Sequence, residues 1–118
     1  MKKGLWTKIL VVALLVMVGC VGIAEAKTYR INLATATTGG AYYPIGNAMA
    51  QIWTKNLEGV RASAQSTAGT PQNVELMQNG EVQVGIGQNG ICYYAFNGTG
   101  TYEGKTPYKE MRGMMTLY

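Results

Sequence analysis

Polar and glycine residues recur at three places where apolar, alternating stretches of the sequence stop. Hydroxyl, amide and glycine residues dominate positions 35–42, 66–70 and 88–90. Hydroxyl and amide groups both donate and accept hydrogen bonds, and glycine lets a ligand approach the backbone closely. The residues that we predict to bind a ligand are Thr37, Thr38, Gly39, Gly40, Tyr42, Ser66, Thr67, Gly69 and Gln88.

Each of these three runs precedes a segment with helical spacing. The unpaired N–H groups at a helix N-terminus attract an anion by about 0.3 to 1 kcal/mol when exposed. A carboxylate ligand therefore suits this arrangement. The structural alternative is that Thr37, Ser66 and Thr70 only cap helices and the glycines only make turns. In that case Tyr42 is a packing aromatic and Gln88 closes a turn.

The composition excludes most hydrolytic chemistry, because the sequence contains no His and no Asp. Neither a Ser-His-Asp triad nor the common His-containing zinc sites can be built. We expect no catalytic activity, no metal and no cofactor. The alternative is a secreted enzyme that uses Ser66 or Cys92 as nucleophile, with a base from outside this sequence. Cys92 by itself is better interpreted as a small buried apolar residue.

Residues 85–90 match the spacing G-x-G-x-x-G. In a dinucleotide-binding protein that motif follows the first strand of a β-α-β unit. Here it overlaps the third predicted strand, so we do not interpret it as a nucleotide site.

The elements that must position these residues alternate between strands and helices. Alternating apolar residues predict strands near 29–35, 60–66, 82–86 and 111–118. Helical spacing predicts a helix after Pro44, a second that begins with Thr70 as N-cap and stops at Asn79-Gly80, and a third near 89–96. The first of these helices should turn a stripe of four residues toward the core: Ile45, Met49, Ile52 and Trp53. The pair Met114-Met115 should belong to the core of the fourth strand.

This order predicts an α/β fold with a mostly parallel sheet and flanking helices, since strands joined by single helices favour right-handed crossovers. In such a sheet all the strand carboxyl ends lie at one edge. We therefore expect the three polar runs to meet there and form one site.

Residues 1–26 have the form of a signal peptide. Lys2, Lys3 and Lys8 precede an apolar run over 9–18, and small residues at Ala24 and Ala26 suit cleavage after Ala26. Two alternatives are lipid attachment at Cys20 and an uncleaved anchor. We expect a periplasmic or extracytoplasmic protein whose domain begins at residue 27. Half of the net charge of +4 belongs to the leader, which has three Lys and one Glu, and residues 27–118 carry only +2, so we expect no nucleic-acid partner.

The sequence also resembles a known family. Residues 38–44 (TGGAYYP), 80–84 (GEVQV) and 93–100 (YYAFNGTG) are similar, in this order, to the TAXI-type solute receptors of tripartite ATP-independent periplasmic (TRAP) transporters. The resemblance implies a type II periplasmic-binding-protein fold, of which residues 27–118 would form the N-terminal part of the first lobe. The chain is shorter than members of that family, so we expect an N-terminal fragment that binds only weakly by itself.

The resemblance further implies a small organic acid or amino acid as ligand, glutamate-like or dicarboxylate, and TRAP membrane subunits as partners. It places the nine predicted binding residues nearest the ligand cleft. We expect a monomer. The alternatives that stay open are a receptor of an ATP-driven importer, a sensor partner and a structural surface lipoprotein.

Overall fold

A small parallel sheet organises the chain. The computed structural model describes Gly4 and residues 27–117; the predicted signal peptide, Gly4 apart, lies outside the described residues. The strands are β1 (Tyr29–Ala34), β2 (Val60–Gln65) and β3 (Val84–Gly85), in the order β2-β1-β3. Both pairings are parallel, and β1 lies at the centre. The predicted α/β fold with a parallel sheet is therefore confirmed.

Helices cover both faces of this sheet. They are α1 (Tyr42–Asn56), α2 (Thr70–Gln78) and α3 (Asn89–Asn97), followed by a short 3-10 turn over Gly100–Tyr102. Leu33 of β1 faces α1, whereas Gly85, which pairs with the next residue of β1, faces Met77 and Asn73 of α2. Alternate residues of each strand thus reach helices on opposite sides, as a doubly wound arrangement requires.

Close approach of α1 to the sheet depends on a glycine. A Cβ atom placed on Gly46 would overlap Thr35 Cγ2 and lie 2.8 Å from Leu33 Cδ2. Gly46 and Ala50 are the buried residues of α1. The predicted core stripe is wrong at Ile52, which is 58% exposed. The buried side of the helix is centred on its smallest residues, because these allow the backbone to approach the sheet.

The third strand is shorter than predicted. Its pairing with β1 is limited to Val84 and Gly85. One residue earlier, the side-chain Oε1 of Gln83 accepts the N–H of Asn32 at 2.9 Å. That side chain occupies the position that a strand carbonyl would take in a longer ladder. Glycines at 85 and 87 weaken the strand further, since they lose more backbone entropy and supply no side chain to pack.

The predicted fourth strand does not form in the part of it that the structure describes. Residues 111–117 have no regular secondary structure. Met114 and Met115 are 65% and 59% exposed, so the expectation that they belong to a core is also wrong. A strand needs a partner for its backbone groups. The Arg112 guanidinium instead donates to the carbonyls of Lys109 and Met111, at 2.7 and 2.9 Å.

Residues 98–110 pack against the helices rather than extending the sheet. The Tyr108 hydroxyl donates to Met77 O of α2 at 3.1 Å, and the Tyr108 N–H donates to Ala95 O of α3. The Lys109 ammonium lies 4.3 Å from the centre of the Phe96 ring. Within residues 27–117, no helix has the length and apolar character that crossing a membrane requires.

Candidate functional site

The loops that follow β1 and β2 are bonded to each other. Ala36 O accepts hydrogen bonds from the Ser66 hydroxyl at 2.9 Å and from the Thr67 N–H at 3.2 Å. One residue earlier, the Thr35 hydroxyl donates to Gln65 O at 2.7 Å. These bonds continue the contact between the two strands beyond the end of their ladder. The first two predicted runs therefore meet in space.

The loop after β3 joins the same group through α2. The Gln88 N–H donates to the Thr70 hydroxyl at 3.1 Å. This contact replaces the predicted N-cap role of Thr70. Gly69 is the N-cap residue, no side chain caps α2, and Pro71 lies in its first turn. The Thr70 hydroxyl is directed at the third loop, and Thr70 is the first residue of the helix rather than its N-cap.

We refer to residues 35–41, 66–69 and 86–88 together as the strand-end edge. A buried amide at position 73 of α2 connects all three of its loops. Asn73 Nδ2 donates to Thr35 O at 2.6 Å and to Ile86 O at 2.8 Å, while its Oδ1 accepts the Thr67 hydroxyl at 2.6 Å. Asn73 is only 1% exposed. Asn73 is not among the nine residues predicted from the sequence to bind a ligand.

A signal for Asn73 is present in the sequence. Thr70, Asn73, Val74 and Met77 follow the spacing i, i+3, i+4 and i+7, which marks the buried face of a helix. A polar side chain on such a face must find hydrogen-bond partners, because burying it without them is costly. The spacing identifies a buried polar residue, but it does not identify the partners.

The predicted binding residues differ in how accessible they are. Thr67 is buried, whereas the other members are partly buried or exposed. Thr37, Thr38, Gly39, Ser66 and Gln88 are exposed; Gly40, Tyr42 and Gly69 are partly buried. Thr67 therefore supports the loops from beneath, and the accessible polar surface comes from the remaining residues.

Several backbone N–H groups of the edge are already used inside the protein. Those of Gly40, Thr67 and Gly69 donate to Thr37 O, Ala36 O and the Thr67 hydroxyl. By contrast, the N–H groups of Thr38 and Gly39 form no hydrogen bond with another described residue. The donors that the edge offers to a ligand are thus concentrated in the first loop.

One glycine of the edge has a conformation that other residues rarely adopt. Gly69 has φ 100° and ψ −161°, a region that is essentially restricted to glycine. This conformation turns the chain from the second loop into α2, whose first turn contains Thr70 and leads to Asn73. Gly69 is therefore required by the backbone, whatever its role toward a ligand.

The electrostatics of the edge favour an anion over a cation. Three helices begin beside it, and their first turns contain no acidic residue. The partial positive charge at each helix N-terminus is thus not neutralised by a side chain of that turn. The described residues also hold no group of three or more His, Cys, Asp or Glu residues that could bind a metal ion.

A cavity of about 770 Å³ lies next to the edge. Its volume falls within the range of about 300 to 1,000 Å³ that is usual for small-molecule sites. Tyr42, Thr70 and Gln88 line it together with β3, Met77 and residues 111–117. Seven of the nine predicted binding residues are not part of its wall. The cavity and the polar edge are therefore neighbouring surfaces that share residues 86–88.

Cys92 lines the same cavity and is partly buried. Burial raises the pKa of its thiol above the ordinary value of 9.0. A thiol with a raised pKa stays protonated at neutral pH and is a poor nucleophile. Ser66, the other candidate nucleophile, donates its hydroxyl hydrogen to a backbone carbonyl rather than to a base.

Residues 33–118 match the NMT1-like family. The match starts within β1 and includes every loop of the strand-end edge. It covers more than two thirds of the chain. The chain belongs to the NMT1-like family.

The NMT1-like family consists of periplasmic solute-binding proteins. Membership implies a small-molecule ligand and transporter partners in general, and members are typically periplasmic or extracytoplasmic. The resemblance found in the sequence is thus confirmed at this level.

Proposed function

We propose that this NMT1-like chain is an extracytoplasmic receptor that captures a small organic anion, either a glutamate-like amino acid or a dicarboxylate. It would deliver this ligand to the membrane subunits of a TRAP transporter. The similarity of residues 38–44, 80–84 and 93–100 to TAXI-type receptors supports the choice of transporter. Export would depend on residues 1–26, with cleavage after Ala26.

One observation carries the anion proposal. The three strand-end loops are bonded into one edge, and three helices without acidic residues in their first turns begin beside it. The N–H groups of Thr38 and Gly39 would donate to a carboxylate. The exposed Ser66 hydroxyl and Gln88 amide would complete the contact, and the Tyr42 ring would pack on the ligand.

The proposal includes no covalent chemistry. The protonated Cys92 thiol and the carbonyl-bonded Ser66 hydroxyl both lack activation within the described residues. Capture would therefore rest on hydrogen bonds and charge. Stoichiometric labelling of Ser66 by a fluorophosphonate, or of Cys92 by a thiol reagent at neutral pH, would instead favour an enzyme.

The test is a titration of the ¹⁵N-labelled protein followed by amide NMR shifts, which detects weak binding and locates it. The probes are L-glutamate and succinate, with glucose and putrescine as a neutral and a cationic control. We expect saturable shifts at Thr38, Gly39 and Gln88 with the acids only. Shifts at these amides with glucose or putrescine but not with the acids would overturn the anion proposal. An absence of residue-specific shifts with either acid would also overturn it.

A further inference from the structure

The side chain of Asn73 contacts all three loops of the strand-end edge. Asn73 Nδ2 donates to Thr35 O after β1 and to Ile86 O after β3, and Oδ1 accepts from Thr67 after β2. A longer contact of 3.4 Å joins Nδ2 to Ala34 O. The side chain is 1% exposed, so a ligand at the edge cannot reach it directly.

The chemistry of the carboxamide fits this position in one orientation. An asparagine has two N–H donors on one atom and an acceptor oxygen on the other. The partners of Nδ2 are backbone carbonyls, which only accept, and the partner of Oδ1 is a hydroxyl, which can donate. Aspartate offers no donor when ionised, and leucine offers neither function.

The three contacts act at the end of the strand ladder, where a backbone hydrogen bond still joins Thr35 to Gln65 O and Ile86 to Ala34 O. Thr35 and Ile86 lie just beyond the paired residues of β1 and β3, and Thr67 lies two residues beyond β2. Past those points the separation of the chains depends on individual hydrogen bonds, such as those from the Ser66 hydroxyl and the Thr67 N–H to Ala36 O. The Asn73 carboxamide supplies fixed distances there, because each of its hydrogen bonds has a narrow range of length and angle.

We propose that Asn73 is the positioning residue of the solute site: it sets the relative placement of the three strand-end loops, and ligand affinity depends on it without direct contact. This inference rests on the proposed function, since it concerns the same edge. The proposed ligand contacts come from three different loops. The N–H groups of Thr38 and Gly39 belong to the first loop, Ser66 belongs to the second and Gln88 to the third. A loop displaced by a fraction of an ångström would lose its share of the contacts to one small ligand.

The matched control for Asn73 is its neighbour Val74. Val74 is also 1% exposed and lies on the same helix, but its side chain makes no hydrogen bond. Asn73→Ala and Val74→Ala each remove buried atoms from α2. If Asn73 only packs, both variants should change loop hydrogen exchange and L-glutamate affinity alike. A positioning role predicts different outcomes.

The first measurement is amide hydrogen exchange of the whole protein, which needs no ligand. We expect Asn73→Ala to accelerate exchange in all three loops relative to β2 and the middle of α1. Val74→Ala should change the amide exchange rates within α2 without a specific acceleration in the three loops. Equal patterns in the two variants, or acceleration of only one loop by Asn73→Ala, would overturn the inference.

The second measurement is affinity for L-glutamate, from the same NMR titration. We expect Asn73→Ala to weaken binding about tenfold or more, and Val74→Ala to change it less than about threefold. Unchanged affinity in Asn73→Ala would overturn the positioning role while the proposed function stands. If the unsubstituted protein does not respond to any acid, the proposed function fails and the exchange result still decides the role of Asn73.

A milder variant covers the case in which Asn73→Ala does not fold. Thr67→Val removes one of the three partners and keeps Asn73 in place. We expect faster exchange at residues 67–69 and a smaller loss of L-glutamate affinity, whereas Thr67→Ser should restore both. Restoration by serine identifies the hydroxyl as the cause, through its contacts with Asn73 Oδ1 and the Gly69 N–H. A failure of serine to restore either property would count against the inference.

Discussion

The strand-end edge and residues 111–117 use similar residues in opposite ways. Both contain threonine and glycine beside apolar side chains. At the edge, the Thr35 hydroxyl and the Asn73 amide bond to backbone carbonyls of distant segments, and Leu33 directly before the edge is fully buried. In residues 111–117, the apolar side chains of Met114, Met115 and Leu117 are exposed and the Arg112 side chain bonds only to nearby carbonyls.

The difference shows what turns a sequence pattern into fixed structure. An apolar, alternating run becomes a strand when a neighbour takes its backbone hydrogen bonds and covers its side chains. Residues 29–34 have neighbours on both sides, in β2 and β3. Residues 111–117 pair with no strand among the described residues. Identical substitutions in the two regions should therefore have very different consequences.

The largest contrast is expected from leucine truncation. Leu33→Ala removes a fully buried side chain and should lower the free energy of unfolding by about 2 to 5 kcal/mol. Leu117→Ala truncates a side chain that is 39% exposed and should change it by less than about 0.5 kcal/mol. Urea denaturation followed by circular dichroism measures both. Equal losses would mean that residues 111–117 are packed as firmly as β1.

A smaller contrast is expected from the removal of a threonine hydroxyl. Thr67→Val leaves the buried Asn73 Oδ1 without its donor at 2.6 Å and should cost about 1 to 3 kcal/mol. Thr116→Val makes the same change on an exposed residue. It should change the free energy of unfolding by less than about 0.5 kcal/mol. The same denaturation experiment compares the two. A negligible effect of Thr67→Val would show that the junction beneath the edge does not stabilise the fold.

The smallest effect concerns alkaline pH. Burial raises the pKa of the Cys92 thiol above its ordinary value of 9.0. The unfolded chain then loses this proton before the folded chain does, so stability should fall as the pH rises from that value through the folded-state pKa. Below the ordinary value of 9.0, the contribution of the protonated Cys92 thiol to stability is fully present. Urea midpoints from neutral pH to about pH 11 should decline less steeply in Cys92→Ser.

If the urea midpoint of Cys92→Ser declines as steeply as that of the unsubstituted protein, a group other than Cys92 causes the loss of stability at alkaline pH. Tyr102 is the other described group whose pKa is raised, mainly by burial and then by the nearby charges of Cys92 and Glu75. Its ordinary value of 10.0 lies above that of the thiol. A loss that begins only above that value would therefore point to Tyr102.

Much of the fold could be predicted from local sequence. The alternation in residues 29–34 and 60–65 defines β1 and β2, and Pro44 and Pro71 lie in the first turns of their helices, where the missing N–H costs nothing. From the order of these elements, the parallel sheet and the meeting of three loops at one edge follow by general rules of handedness. Both were predicted correctly.

The site itself was predicted only in outline. The polar runs were identified, but not which of their N–H groups are already bonded or that Thr67 is buried. The core stripe of α1 was misplaced at Ile52 because the close approach at Gly46 cannot be recognised from helical spacing. The binding roles of the nine residues stay predictions.

The sequence by itself determined the order of the elements, their approximate bounds and the edge at which polar residues gather, since periodicity is a property of neighbouring residues. The tertiary structure decided how far β3 extends, that residues 111–117 form no strand, and how the loops are joined. The physical reason is that hydrogen-bond pairing depends on residues far apart in the chain. Asn73 bonds to a carbonyl 38 positions away, and no local pattern contains that information.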